Sequence, residues 1–293
     1  MTPATIVPQL DPGLRRGTAL IAALLLAACK PAVEAHPALY EVRDADTVIW
    51  LLGTIHLLPA DVHWRTPAIK QAIDSADTLV TEIPFTADDS AMARFTAAGQ
   101  ASGLPPLAAR TIDPAALARA LTTADLAPDA LDGWKTWAAA LHLAALATRS
   151  VAADREHGVE AVLAADFAGR PRQALETDHQ QFAIFDALPE PTQRALLAGA
   201  VRGVTRDGAD YRAELAAWSA GNPARIAAAV EPELAASPAL RDALLTRRDA
   251  RWAAWLSRRM GPPGRVLVAV GAGHVAGLVE RLRARGFRVR RVA

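Results

Sequence analysis

Val48-Ile49-Trp50-Leu51-Leu52-Gly53-Thr54-Ile55-His56 and Val266-Leu267-Val268-Ala269-Val270-Gly271-Ala272-Gly273-His274 are two copies of one arrangement, set near opposite ends of a 293-residue chain. Each is an apolar run that stops in Gly-x-x-His. The runs are short and rich in β-branched residues, as buried strands are. The glycine lets the backbone turn where a Cβ would clash. Each histidine then falls just past the carboxyl end of a strand, the place where open α/β sheets hold their ligands. Between the two copies, Thr78-Leu79-Val80-Thr81 is a third strand-like run, and it ends in Glu82. Three strand ends that carry His, Glu and His supply the donors of a two-histidine, one-carboxylate metal site. The expectation is that both Gly-x-x-His segments and Glu82 meet at one end of a single sheet. Ligands ~2.0–2.2 Å from a shared metal would bring the tips of His56, Glu82 and His274 within about 4–5 Å of one another.

Working outward, Ala38 to Arg43 and Thr47 to Leu52 form two strands joined at Asp44-Ala45-Asp46, a hairpin turn. Thr66-Pro67 opens a helix, a Thr cap followed by Pro at the first position, running to about Ser75. From Phe85 to about Ala165 the chain turns helical and Ala-rich. Arg172 to Leu175 is a short strand that ends in Glu176. Helices return until about Met260, where Gly261-Pro262-Pro263-Gly264 precedes the second Gly-x-x-His strand. Val275 to Arg285 is a helix, and Phe287 to Val292 a closing strand. The fold class is therefore α/β, with a small central sheet made from both chain ends and two large helical insertions, about residues 85–168 and 180–262.

The N-terminus carries a separate message. Arg15-Arg16, an apolar stretch from Thr18 to Leu26, and Leu26-Ala27-Ala28-Cys29 make a secretory signal with small residues at the cleavage site. The tetrapeptide resembles the bacterial lipobox, in which the cysteine is lipidated and becomes the first residue. Residues 1–28 are read as a lipoprotein signal, 29–38 as a tether and 39–293 as the exported domain. The expected location is the periplasmic side of a bacterial membrane, with Cys29 as a lipid anchor. Cys29 is the one cysteine, so the chain has no internal disulfide and no Cys-based zinc site.

Net charge is +1 but uneven: Arg241 to Ala293 holds 13 Arg and three acids, the remainder 19 basic and 28 acidic residues. Only three of the basic residues are Lys, so the Arg bias reads as composition, and the acidic part is expected to pack against the basic end. No nucleic-acid partner is expected. No Gly-x-Ser-x-Gly and no glycine-rich phosphate loop is present, which leaves nucleophilic serine chemistry and nucleotide binding without support. Neutral imidazoles at His56 and His274 suit Mn, Co or Zn, with Glu82 as the anionic donor. Glu176 has four readings: a fourth ligand, a general base for a bound water, an orienting group, or simply a cap on the following helix. His63, His142, His157 and His179 each stand alone.

At these residues the chain resembles the TraB/PrgY/GumN family, which includes the Tiki proteins. The motifs are Gly53-Thr54-Ile55-His56, Thr81-Glu82, Gly158-Val159-Glu160, Leu175-Glu176-Thr177, Trp218-Ser219-Ala220-Gly221 and Gly271-Ala272-Gly273-His274-Val275-Ala276-Gly277. The likeness runs from about residue 39 to the end. It implies the fold shared with erythromycin-esterase-like and ChaN-like proteins, and a metal-dependent peptidase or hydrolase using Mn or Co. In the late helix the family has Arg-Asn where this chain has Arg248-Asp249. Arg248 there would hold a substrate carboxylate or an oxyanion. The expected function is a metal-dependent hydrolase of the bacterial envelope, acting on a peptide or another small envelope substrate, with Glu176 and Arg248 catalytic and His56, Glu82 and His274 on the metal. The alternative is a non-catalytic lipoprotein that binds a peptide or glycan, as in pheromone shutdown or exopolysaccharide export.

Overall fold

The computed structural model describes residues 32–85, 90–235 and 237–293, with side chains from 230 to 235 left aside. The signal and Cys29 lie outside the described residues. Residues Glu34–Ala293 form one compact unit.

Six strands make the central sheet: β1 (Leu39–Arg43), β2 (Thr47–Thr54), β3 (Thr78–Thr81), β4 (Arg172–Ala174), β5 (Gly264–Gly271) and β6 (Val289–Arg291). Their order is β6-β1-β2-β5-β3-β4. β6, β1 and β2 pair antiparallel, whereas β2, β5, β3 and β4 pair parallel. The two Gly-x-x-His strands are thus direct neighbours, with Gly53 opposite Val270 and Thr54 opposite Gly271.

Alternation within the runs explains why they are unbroken in hydrophobicity. Trp50, Leu52, Leu267 and Ala269 enter one core, where they meet Ile69 of α1 (Pro67–Ser75) and Val159 and Leu163 of α5 (Val159–Asp166). Ile49, Leu51, Val266, Val268 and Val270 enter the other, against Trp252 and Leu256 of α11 (Arg247–Arg259) and Val275 and Leu278 of α12 (Ala272–Ala284). A parallel sheet covered on both faces requires such runs. The Thr66 hydroxyl caps α1 at the Ile69 N–H, with Pro67 following.

The insertions are helical. α2 (Ser90–Gly99), α3 (Pro114–Thr123) and α4 (Thr136–Ala147) come between β3 and α5. α6 (Asp178–Asp186), α7 (Glu190–Thr205), α8 (Ala209–Ser219), α9 (Pro223–Ala235) and α10 (Pro238–Arg241) follow β4. Leu117, Leu121, Leu143, Leu197 and Val201 give α3, α4 and α7 a core of their own. A π-helical turn, Asp242–Thr246, then leads into α11. The last helix begins at Ala272, so His274 lies inside its first turn. Among the described residues no helix is long and apolar enough to cross a membrane.

Candidate functional site

The carboxyl ends of the four parallel strands carry, in spatial order, His56 (β2), His274 (β5), Glu82 (β3) and Glu176 (β4). The β3–β4 ladder continues past its last residues, with the Leu175 N–H on Thr81 O at 2.9 Å and the Glu176 N–H on Glu82 O at 2.8 Å. This fixes the two glutamates side by side.

Both histidines have Nδ1 on a carboxylate. His56 Nδ1 lies 2.9 Å from Glu160 Oε1, and His274 Nδ1 lies 2.7 Å from Asp249 Oδ1. Such partners fix the ring and leave Nε2 as the open nitrogen. Glu160 also accepts from the Thr54 hydroxyl, while its Oε2 is buried without a hydrogen-bond partner. The Glu160 charge pushes the His56 imidazole up to about 9, against the opposing effect of burial, and Glu82 acts in the same direction. The His56 side chain is nevertheless 66% exposed, so water screens the pair.

Arg248 joins the rest. Its Nη2 donates to Glu82 Oε2 at 2.6 Å, its Nε to Glu176 Oε2 at 3.1 Å, and its Nη1 stands 3.1 Å from His274 Nε2. With Nδ1–H given to Asp249, the hydrogen-bond pattern assigns Nε2 as the acceptor. The guanidinium also lies 4.4 Å above the Trp252 ring, which packs on the His274 ring at 4.5 Å. Glu82 Oε1 takes the Gly271 N–H at 2.6 Å. Burial alone would raise the Glu82 pKa. Arg248, a protonated His56 and the Gly271 N–H oppose burial and hold the carboxyl below the ordinary carboxylate range.

Glu176 has both oxygens engaged, the second by Arg251 Nη2 at 2.6 Å. It is not the cap of α6: Thr177 is, in a capping box with Gln180. Asp249 bonds His274 and not its neighbour Arg248. Three of the other histidines are engaged elsewhere, while His179 lines a cleft beside Glu176. His63 pairs with Glu34, His157 with Asp154, and His142 packs on the Trp134 ring.

The glycines of the motifs have specific jobs. A Cβ on Gly158 would run into the His56 carbonyl, and the adjacent Val159 N–H bonds Ile55 O at 3.1 Å. A Cβ on Gly277 would collide with the Asp249 carboxylate. Trp218 Nε1 donates to Gly53 O at 2.9 Å and steadies the turn before His56. Glu160, in the Gly158-Val159-Glu160 motif, is a site residue that is not among those the sequence predicts. Its signal was a carboxylate one residue into a helix, behind a glycine and a valine.

Whether these donors fit a divalent cation can be tested on their spacing. Glu82 Oε1 and His274 Nε2 are 3.8 Å apart. Two ligands ~2.0–2.2 Å from one metal stand roughly 3.3–3.8 Å apart at tetrahedral or wider angles. The two imidazole–carboxylate pairs and the orphaned Glu160 Oε2 also suit a cationic centre. Among the described residues, though, no three His, Cys, Asp or Glu side chains already converge on a single metal-sized point. The Glu82–His274 pair alone has a ligand-like spacing, and Arg248 Nη1 stands on His274 Nε2.

The profile of the TraB/PrgY/gumN family matches residues 38–291. No curated protein and no solved structure gives a match.

Proposed function

This chain belongs to the TraB/PrgY/gumN family; from that premise we propose that it is a hydrolase of the bacterial envelope, acting on peptide bonds at a centre that takes Mn, Co or Zn. The observation that carries the reading is the pair of histidines, each with Nδ1 on a carboxylate, in one row of strand ends with Glu82. His56 Nε2, His274 Nε2 and Glu82 Oε1 would hold the cation. When bound, it would supply a Lewis acid and a water of lowered pKa.

The remaining roles belong to the chain. Arg248 is held by two carboxylates through Nη2 and Nε, so Nη1 is its one arm free of a carboxylate. Released from His274, that arm is the donor available to a developing oxyanion. Glu176 positions Arg248 and Arg251, which supports the orienting role over the base: a base would first have to lose Arg251 to solvent. The cleaved signal would leave the domain tethered by a lipid on Cys29.

Elemental analysis of protein purified without chelator, beside a peptidase assay, tests the reading. About one equivalent of metal is expected in the wild type, with metal and activity both lost in His274→Ala. A second reading, a non-catalytic binder, draws on the engagement of both Glu82 oxygens and both His274 nitrogens. Wild type free of metal, and inactive when Mn, Co or Zn is added, would decide for the binder.

A further inference from the structure

The turn that carries His56 is held from outside the sheet, by one helix of the second insertion. Two side chains of α8 donate to it. Trp218 Nε1 donates to Gly53 O at 2.9 Å, and the Tyr211 hydroxyl donates to Leu57 O at 2.6 Å. Tyr211 and Trp218 are seven residues apart, so they share one face of α8 and stand roughly 10 Å apart along it. The carbonyls they take are four residues apart, and four residues of chain reach at most ~13–14 Å. The two bonds therefore bracket His56 with little slack. Between them, the Val159 N–H at the start of α5 takes Ile55 O at 3.1 Å. Alternate carbonyls at Gly53, Ile55 and Leu57 are thus all bound. The side chains of the residues in between, Thr54 and His56, both reach Glu160 Oε1. Burial and the nearby Glu214 push the Tyr211 phenol above its ordinary range, so the hydroxyl keeps its proton and remains a donor.

We propose that Tyr211 is a positioning residue for His56: its hydroxyl closes the turn after the histidine as Trp218 closes it before, and so keeps the imidazole Nδ1 on Glu160. The second insertion then sets one histidine of the row, through α8, while His274 takes its partner from α11. Without the hydroxyl, Leu57 O turns to water. The global fold loses little, but the turn opens locally more often. The bearing of Tyr211 on catalysis rests on the hydrolase reading; the placement of the His56 ring does not.

Tyr211→Phe keeps the ring and removes only the donor. Native-state hydrogen exchange on the full chain reads the turn without turnover. The Val159 amide, which closes on Ile55 O, should exchange about 5-fold faster in the variant, the factor that corresponds to the ~1 kcal/mol of one hydrogen bond. NMR reads the rings: the His56 Nδ1 shift, detected through the carbon-bound ring protons, should move towards that of free histidine, while Nδ1 of His274 stays in place. Asp113→Ala serves as the control, because it removes the cap of α3 at the Ala116 N–H and destabilises the chain on a similar scale elsewhere. It should leave the Val159 and His56 signals unchanged. Unaltered Val159 exchange and His56 shift in Tyr211→Phe, the same changes in Asp113→Ala, or equal movement of both histidines would overturn the proposal. A loosened His56 in a chain that neither holds metal nor cleaves peptide would sustain the positioning role while sinking the hydrolase. Cleavage by the wild type, with His56 unmoved in Tyr211→Phe, would do the reverse.

Discussion

The His56–Glu160 pair sets how the site responds to pH. The folded-state pKa of His56 is raised, so the stabilisation it brings is fully present below about 6.5 and is lost as pH rises through about 9. Exposure of the ring keeps that contribution small. The effect on ligation is larger, because a proton on Nε2 competes with any cation. Cation affinity should therefore climb with pH towards 9. Glu160→Gln removes the charge, and an NMR titration should find the His56 midpoint moved down towards the ordinary histidine range. A midpoint that stays put would mean Glu160 is not the cause. Arg248 poses the opposite case, a buried cation between the buried carboxylates of Glu82 and Glu176. Arg248→Ala leaves those charges uncompensated and should cost about 3–5 kcal/mol in urea denaturation. Arg248→Lys should recover only part, since one ammonium cannot reproduce the fork that reaches Glu82, Glu176 and His274 together.

At the scale of elements, α12 separates the glycines of its own motif. A Cβ at Gly273 meets nothing within 4 Å, whereas one at Gly277 strikes Asp249. Gly273→Ala should be neutral or stabilise by up to ~1 kcal/mol, as Gly→Ala substitutions at compatible helical positions do. Gly277→Ala should cost roughly 1–3 kcal/mol, the range for forced overpacking, and should free His274 Nδ1 from its carboxylate. Thermal melts of the two variants, with the His274 ring followed by NMR, check both halves; equal melts would refute the packing argument. The strands behind these motifs were legible because burial on both faces writes itself as unbroken runs at Val48–Leu52 and Val266–Val270. The start of α1 was legible because Thr66-Pro67 is a local capping signal. The start of α12 was read three residues late, at Val275 and not Ala272, because Gly271-Ala272-Gly273 scores poorly as helix while tertiary packing holds it there. The partners of the histidines were not legible at all. Glu160 and Asp249 reach His56 and His274 across 104 and 25 residues, and no periodicity encodes such contacts.

For the whole molecule, the charge asymmetry resolves into internal pairing. Arg290 of the basic end bonds Glu41, Arg265 bonds Asp77, and Arg248 bonds Glu82 and Glu176. Part of the surplus is thus matched by acids elsewhere in the chain, in pairs that are buried at Arg248 and exposed at Arg265 and Arg290. The stretch from Thr18 to Leu26 is far below the ~20 apolar residues that span a bilayer, and among the described residues no helix can cross one. Cys29, in its lipobox-like context, is the proposed anchor. A lipid there adds membrane affinity of about 0.8 kcal/mol per buried methylene, an attachment that salt does not screen. Cys29→Ser should accordingly move the protein into the soluble fraction, and wild type should stay on membranes through a wash at ~1 M salt, where the Debye length is only ~3 Å. Wild-type protein that leaves in salt would be held by its basic residues, and an intact N-terminus before Cys29 in mass spectrometry would rule out lipidation altogether.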